Sequence, residues 1–208
     1  MRRVIKPLVF ALALLPLAWL AYGLYAGDLG ANPAETIQLT TGDWAIQFLL
    51  ITLAVTPARR LTRWNALVQY RRMLGLFAFF YACLHVTSYI VLDKYFDWRS
   101  MIADVAKRPF ITMGFAAFVL LTPLALTSTK GWIRRLGRKW QTLHRLIYVA
   151  AICAAIHFIW KVKVVTGAPL VDGLILLGLL GFRVFWSLKH RTVRQASGAV
   201  RPRNLPLS

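Results

Sequence analysis

The sequence predicts an all-α membrane protein, a six-transmembrane-helix bundle with both termini in the cytoplasm. Hydrophobic residues make up 58% of the 208-residue chain and gather into six long runs. A membrane-spanning helix needs about 20 such residues. The 26 Lys and Arg residues greatly outnumber the seven Asp and Glu and lie between the apolar runs. The formal charge of +19 therefore indicates membrane topology and contact with anionic lipid headgroups, not a nucleic-acid-binding surface.

Six apolar runs define the predicted spans. They cover residues 7–26, 43–58, 74–92, 109–127, 143–160 and 168–188. Pro7, Pro109 and Pro169 stand near the starts of three runs, where a helix tolerates proline because the missing N–H has no partner there. Pro16 and Pro123 fall inside spans and predict kinks. The first run also resembles a secretory signal peptide, but its length of about 20 residues exceeds the 7–15 of a signal-peptide core, so we expect a retained anchor.

The basic residues alternate between the two sides of the predicted bundle. Twenty lie at the chain ends and in the segments after spans two and four, and six lie on the other side. Because cytoplasmic segments carry the excess of Lys and Arg, this pattern places both termini in the cytoplasm of a multi-pass inner-membrane protein. The predicted domains are a membrane domain over residues 1–190 and a basic, disordered cytoplasmic tail over residues 191–208.

Three of the four histidines lie in predicted spans, where an ionisable side chain is costly and indicates function. His85 is in span three, and His144 and His157 stand at the two ends of span five. Spans three and five run in the same direction, so His85 and His157 both belong to the outer half of the membrane and His144 to the inner end. Two neutral imidazoles that face each other across a helix bundle can bind haem iron from both sides.

Other uses of these histidines remain open but have less support. Zinc takes four N, S or O ligands, and the two cysteines, Cys83 and Cys153, are seventy residues apart in separate apolar runs. A proton relay would include Asp or Glu within the spans, whereas the acids here lie towards the outer ends. A histidine can also serve only to hydrogen-bond a carbonyl of a neighbouring helix.

The sequence does not identify a partner ligand for His144 at the inner end of the bundle. Thirteen residues place His144 about 20 Å from His157 along a helix, which leaves room for two stacked haems, but about 140° away around its axis. A π-bulge, a kink or differently oriented cofactors would be needed. A partner for His144 is expected thirteen or fourteen residues before His85, where Arg72 and Arg71 stand, and arginine is not an ordinary haem ligand.

We therefore predict that His85, His157 and His144 bind metal, and that Arg71 and Arg72 are further cofactor-binding residues. Arginine side chains suit an anionic phosphate or a haem propionate. The inner site then holds a haem with one protein ligand, a haem with another ligand residue, or a different cofactor.

Several segments resemble the YedZ/MsrQ family, the haem-binding membrane subunits of the bacterial methionine-sulfoxide reductase system. This family belongs to the ferric-reductase-like transmembrane superfamily, which includes NADPH oxidases. The resemblance covers nearly the whole chain. It lies in LGANPAETIQLTTGDWA after span one, RRMLGLFAFFYACLHVTSY on span three, RPFITMG opening span four, and LTSTKGWIRRLGRKWQTLHRLIY with IHFIWKVK around span five.

The resemblance implies an electron conduit. Electrons from a cytoplasmic flavin- or NAD(P)H-linked donor, a flavin reductase or a quinone, would pass through FMN and one or two haems b to a periplasmic molybdopterin reductase that repairs oxidised methionine. The sequence has no G-x-G-x-x-G after a strand, so we expect an oxidoreductase subunit that depends on an external donor. Two other classes remain: a haem or cation transporter, and a membrane assembly subunit without redox function.

Overall fold

The computed structural model describes the backbone of residues 2–162 and 167–198, and the side chains of residues 5–162 and 167–189. Within these ranges the secondary structure is helical, and no β-strand is present. The helices are α1 (Arg2–Ala26), α2 (Pro33–Thr62), α3 (Val68–Ser88), α4 (Trp98–Lys107), α5 (Pro109–Leu126), α6 (Lys130–Leu136), α7 (Arg138–Leu143), α8 (Leu146–Lys161) and α9 (Ala168–Gly198). A 3₁₀ turn over Asn65–Leu67 precedes α3, and a π-helical turn over Tyr89–Asp93 follows it.

Six helical stretches are long and apolar enough to cross a membrane, which confirms the predicted six-span α-helical fold. They are Ile5–Ala26, Pro33–Thr62, Asn65–Asp93, Pro109–Leu126, Arg138–Lys161 and Ala168–Lys189. The second span begins ten residues before its predicted start at 43. Asn32 caps this helix by accepting a hydrogen bond from the Glu35 backbone N–H, and Pro33 occupies its first turn. These capping residues start a helix in a polar stretch that hydropathy alone does not mark.

Three helices lie outside the predicted spans or interrupt them. The amphipathic α4 connects the third and fourth spans, and α6 and α7 follow the fourth. The fifth span is not one continuous helix, because a turn at His144 and Arg145 separates α7 from α8. Helix α9 continues to Gly198, eight residues beyond the predicted domain boundary at 190, and residues 199–208 of the predicted tail lie outside the described residues.

Two antiparallel helix hairpins form the centre of the bundle. Helix α2 packs along α3, α5 packs along α8, and α9 contacts both α2 and α8. The core of the α2–α3 hairpin is aromatic and buried: Phe48 stacks on Phe77 and on Tyr81, with ring centroids 5.6 and 5.4 Å apart. The Tyr81 hydroxyl donates a hydrogen bond of 2.9 Å to the Ala13 carbonyl of α1. A buried phenol needs such a partner, so this bond fixes α1 against α3.

The bundle has two chemically different ends. At the arginine end, α2 finishes with Arg59 and Arg60 and α3 begins near Arg71 and Arg72. At the histidine end, α2 and α5 begin, α3 and α8 finish, and His85 and His157 lie in the last turns of these two helices. Which end faces the cytoplasm stays a prediction from the distribution of Lys and Arg.

Candidate metal centre between two helix hairpins

His85 of α3 and His157 of α8 face each other at the histidine end of the bundle. Their ring centroids are 6.1 Å apart and their planes form an angle of 71°. Both rings line a cavity of about 740 Å³ enclosed by α2, α3, α4, α5 and α8, a size within the range of roughly 300–1,000 Å³ typical of ligand and cofactor sites. The structure thus brings together the two histidines that the sequence predicted as partners.

Each of the two rings is fixed by a hydrogen bond to a backbone carbonyl. Nδ1 of His85 lies 2.9 Å from the Gln38 oxygen, and Nδ1 of His157 lies 2.7 Å from the Phe110 oxygen. A carbonyl oxygen can only accept, so the hydrogen stands on Nδ1 and the lone pair of each neutral ring on Nε2. This is the arrangement that orients metal-binding histidines in proteins.

The separation of the rings fits a single metal ion between them. An imidazole nitrogen lies about 2 Å from a bound metal and about 1 Å from its own ring centre, so two rings on one ion have centres about 6 Å apart. The observed 6.1 Å agrees with this value. Within the described residues, no group of three or more His, Cys, Asp or Glu could hold a metal. The donor set is therefore two imidazoles, which suits an ion whose other ligands come from a macrocycle.

A glycine lies directly against each histidine ring. A Cβ on Gly42 of α2 would approach Cε1 and Nδ1 of His85 to 3.0 Å, and one on Gly114 of α5 would approach Nδ1 of His157 to 2.7 Å. Real Cβ atoms essentially never show a contact of 2.7 Å, so a side chain at Gly114 would displace the His157 ring. A contact of 3.0 Å is tighter than nearly all real ones, so a side chain at Gly42 would require a small shift of the His85 ring. The glycines give the rings access to the carbonyls of Gln38 and Phe110, one helical turn earlier.

The two hairpins repeat one structural unit. Gln38, Gly42 and His85 have counterparts in Phe110, Gly114 and His157, each 72 positions later in the sequence. In both hairpins the acceptor carbonyl precedes its histidine by 47 residues. Because α2 and α5 both start at the histidine end, the repeats run in the same direction and the two rings meet at one level of the bundle. The equal Gly-to-His spacing is visible in the sequence, but it is not a known motif and the sequence analysis missed it.

The walls of the cavity change character along its length. Towards the middle of the bundle they are apolar, with Leu49, Ala117 and Leu121 buried. Towards the histidine end the lining is charged and includes two cationic side chains, Arg108 and Lys161, and two acidic ones, Asp43 and Asp93. An elongated ligand with an apolar body and a charged edge would match this gradient.

Helix α4 covers the cavity at the histidine end. Its residues Trp98, Met101, Ile102, Val105 and Ala106 contribute to the lining. The helix is held by the buried carboxylate of Asp104.

Asp104 accepts hydrogen bonds or ion pairs from three side chains. Lys94 Nζ lies at 2.6 Å, the Tyr89 hydroxyl at 2.9 Å and Arg108 Nε at 3.2 Å. The hydrogen bond from Lys94 is the main reason that the pKa of Asp104 lies below its ordinary value of 3.8, and Tyr89 and the positive charge of Arg108 lower it further. Sequence reasoning did not find this cluster, because no motif marks residues brought together by the π-helical turn.

His144 has a different environment at the arginine end. It occupies the turn after α7, where Trp140 stacks on it with ring centroids 3.9 Å apart. Its Nε2 lies 3.2 Å from Thr127 Oγ1. Because the Thr127 hydroxyl donates its hydrogen to the Pro123 carbonyl at 2.6 Å, Nε2 must be the donor to Oγ1. In this structure His144 therefore carries its hydrogen on Nε2, whereas His85 and His157 carry theirs on Nδ1.

The two predicted arginines are not equivalent. Arg71 is partly buried and close enough to act electrostatically on His144 and on Arg183 of α9. Arg72, the next residue, is exposed. The sequence analysis treated them alike, and it missed Arg183, which reaches into the same end of the bundle and is described below.

Comparison with known proteins places these observations in a family. Residues 41–155 match the family described as ferric reductase like transmembrane component. The chain is 52% identical over 195 residues to the protein-methionine-sulfoxide reductase heme-binding subunit MsrQ of Herminiimonas arsenicoxydans, covering 92% of this chain and 89% of that protein. It is 49% identical over 191 residues to the protein of the same description from Rhodospirillum rubrum, covering 91% and 90%. No solved structure matches.

These matches agree with the six-span architecture and with the resemblance stated from the sequence motifs. They confirm a multi-pass membrane protein, and the inner membrane fits its bacterial relatives. The chain therefore belongs to the ferric-reductase-like transmembrane family and, within it, to the MsrQ subunits.

Proposed function

We propose that this protein is a haem b-containing electron-transfer subunit of the bacterial inner membrane. It passes electrons from a cytoplasmic flavin- or NAD(P)H-linked donor to a periplasmic molybdopterin methionine-sulfoxide reductase, which repairs oxidised periplasmic proteins. The observation that carries the proposal is the pair of Nδ1-anchored histidines 6.1 Å apart in one apolar cavity. The names of the relatives support haem binding and the association with methionine-sulfoxide reductase.

In this proposal His85 and His157 would hold one haem, which would supply reversible one-electron transfer. The chain supplies everything else that the site needs. The carbonyls of Gln38 and Phe110 fix the two imidazoles before the cofactor binds, which lowers the cost of ligation. The apolar walls exclude water, and Lys161, together with Arg108, which also pairs with Asp104, supplies positive charge for the carboxylates of the cofactor. No side chain makes or breaks a substrate bond, so the protein is an oxidoreductase subunit and not a self-sufficient enzyme.

We further propose that electrons enter at the arginine end, with FMN as the first cofactor and a flavin reductase or a quinone as donor. The concentration of basic residues there suits a phosphate-bearing cofactor. A second redox position near His144, a haem or another group, would require His144 to exchange its contact with Thr127 for a ligand. The number of haems bound per chain tests whether this second position is a haem.

An optical spectrum of the purified protein is the direct test. We expect a reducible, six-coordinate, low-spin haem that is lost in His85→Ala and in His157→Ala. His190→Ala is the matched control, since that histidine lies outside the predicted spans and should leave the spectrum unchanged. A well-folded preparation without bound haem would exclude the proposed function.

A transfer assay then separates the conduit from a haem or cation transporter. In vesicles that contain the purified periplasmic partner and methionine sulfoxide, a reduced flavin donor on the other side should drive sulfoxide reduction. A transporter would release haem during purification or in the vesicles, and a purely structural subunit would assemble with the partner without electron transfer.

A further inference from the structure

A second cavity lies at the arginine end, between α2, α8 and α9. Its volume is about 420 Å³, and it shares no lining residue with the cavity of the two histidines. The lining consists of two arginines, two aromatic residues and two hydroxyl residues: Arg60, Arg183, Tyr148, Trp186, Thr56 and Ser187. The size falls in the range of ligand sites.

A proline in α2 explains why Arg183 reaches into the bundle. Pro57 stands inside α2 and has no N–H, so the carbonyl four residues earlier, that of Leu53, loses its helical donor. Arg183 Nη2 donates to this carbonyl at 2.6 Å. The bond anchors the guanidinium between α2 and α9, and its other nitrogen Nη1 is buried, with no partner in hydrogen-bonding geometry among the described residues.

Among the described residues, the arginines of this cavity have no acidic partner. The Arg183 guanidinium lies 5.3 Å above the centre of the Tyr148 ring, and that of Arg60 lies 5.0 Å above Trp186. Arg71 adds a third positive charge within electrostatic range of Arg183. All seven acidic residues of the chain belong to helices or connections at the histidine end. Like charges that converge in a membrane protein repel one another strongly unless an anion joins them.

We propose that this cavity binds the phosphate group of an organic phosphate, with Arg60 and Arg183 as its charged contacts. Guanidinium groups match phosphate oxygens geometrically, the hydroxyls of Thr56 and Ser187 are additional donors, and the rings of Trp186 and Tyr148 offer flat walls for an attached ring system. The bound phosphate could belong to one of two molecules. The first is FMN, and for this ligand the inference rests on the proposed function. The other source is the headgroup of an anionic phospholipid.

Binding of FMN and of riboflavin to the purified full-length protein tests the flavin source, because the two flavins differ only in the phosphate. We expect FMN to bind at least about tenfold more tightly, and Arg60→Gln to weaken FMN binding about tenfold, the effect of losing one charge-assisted contact. Arg138→Gln is the matched control: it removes one exposed arginine at the same end that does not line the cavity. Arg183→Lys, which keeps the charge and a donor for Leu53, should weaken FMN binding without loss of folding.

Native mass spectrometry in phosphatidylglycerol tests the lipid source. We expect the unsubstituted protein and Arg138→Gln to retain this lipid and Arg60→Gln to lose it. If FMN and riboflavin bind alike or not at all, this result supports a phosphate site occupied by lipid. The proposal is wrong if neither phosphate binds, or if Arg60→Gln binds both as the control does. The haem spectrum of the same samples separates the outcomes, since a failed phosphate site leaves the spectrum intact whereas a failed electron-transfer function shows no haem.

Discussion

The histidines at the two ends of the bundle are opposite tautomers. At the histidine end, His85 and His157 donate from Nδ1 to carbonyls of neighbouring helices, so that Nε2 keeps its lone pair. At the arginine end, His144 donates from Nε2 to Thr127 and stacks on Trp140. The comparison teaches that the acceptor which fixes one ring nitrogen of a histidine decides which nitrogen keeps the lone pair that a metal ion needs.

The two ends also differ in how their histidine rings pack. Gly42 and Gly114 let the two rings lie against the backbone of an adjacent helix, and the repeat of the hairpins makes the two environments match. His144 lies in a turn between two helices, so the hairpin that positions His157 does not position His144. One end therefore presents two fixed imidazole rings that face each other, and the other presents a single histidine among arginines.

Removal of single histidines gives the largest expected contrast between the ends. His157→Ala should abolish low-spin haem binding, because only one axial ligand remains. His144→Ala should keep the spectrum and the haem-to-protein ratio. Pyridine haemochrome analysis of both variants measures this ratio, and a fall from two haems to one in His144→Ala would show that the arginine end holds a second haem.

Substitution of the glycines tests whether ring placement, and not only ligand identity, defines the histidine end. Gly114→Ala should perturb haem binding more than Gly42→Ala, because its Cβ would meet the ring at 2.7 Å compared with 3.0 Å. Overpacking of this kind costs about 1–3 kcal/mol. We expect a shift in the haem reduction potential and partial loss of the low-spin spectrum.

Gly75→Ala is the control for these variants. Its Cβ would lie 3.5 Å from Thr52 Cγ2, an ordinary van der Waals contact, so stability and spectrum should be retained. Equal effects of all three substitutions would indicate a general intolerance of alanine in these helices and would remove the argument for glycine-dependent ring placement.

Neutralisation of Asp104 tests the cover over the histidine end. Asp104→Asn should lower stability by about 1 kcal/mol, because Lys94 and the partly exposed Arg108 lose their anionic partner. The pKa of Asp104 in the folded protein lies below its ordinary value of 3.8, so its stabilising effect is complete above that value and disappears as the pH falls through the lower, folded pKa. Melting temperatures of the two proteins should therefore differ at pH 6 and converge below pH 3.8; a constant difference would contradict this.

The smallest expected effect comes from the arginine end. Thr127→Val removes the acceptor of the His144 hydrogen bond at nearly constant shape, which should cost about 1 kcal/mol or less. The haem spectrum should not change. A changed spectrum would mean that the hydrogen bond of His144 affects the haem environment. The two ends would then not be functionally independent.

The sequence by itself determined the class of the protein and predicted the main residues of the candidate site. Hydropathy and charge are local properties, so six spans and the alternation of basic segments can be read without knowledge of helix packing. The pairing of His85 with His157 followed from their depth in parallel spans. The start of α2 at Pro33 did not, because a capped polar turn has no hydropathy signal.

Only the tertiary structure decided how these residues work. Whether a histidine nitrogen meets a carbonyl 47 residues away, whether a glycine lies behind its ring, and whether Arg183 reaches the carbonyl freed by Pro57 all depend on how helices distant in sequence pack together. The sequence could not define the role of His144, because its direction relative to His157 was calculated on one continuous ideal helix. In the structure a turn at His144 and Arg145 interrupts that helix. Local patterns set which side chains enter the membrane, and packing between helices sets which of their atoms are free to bind.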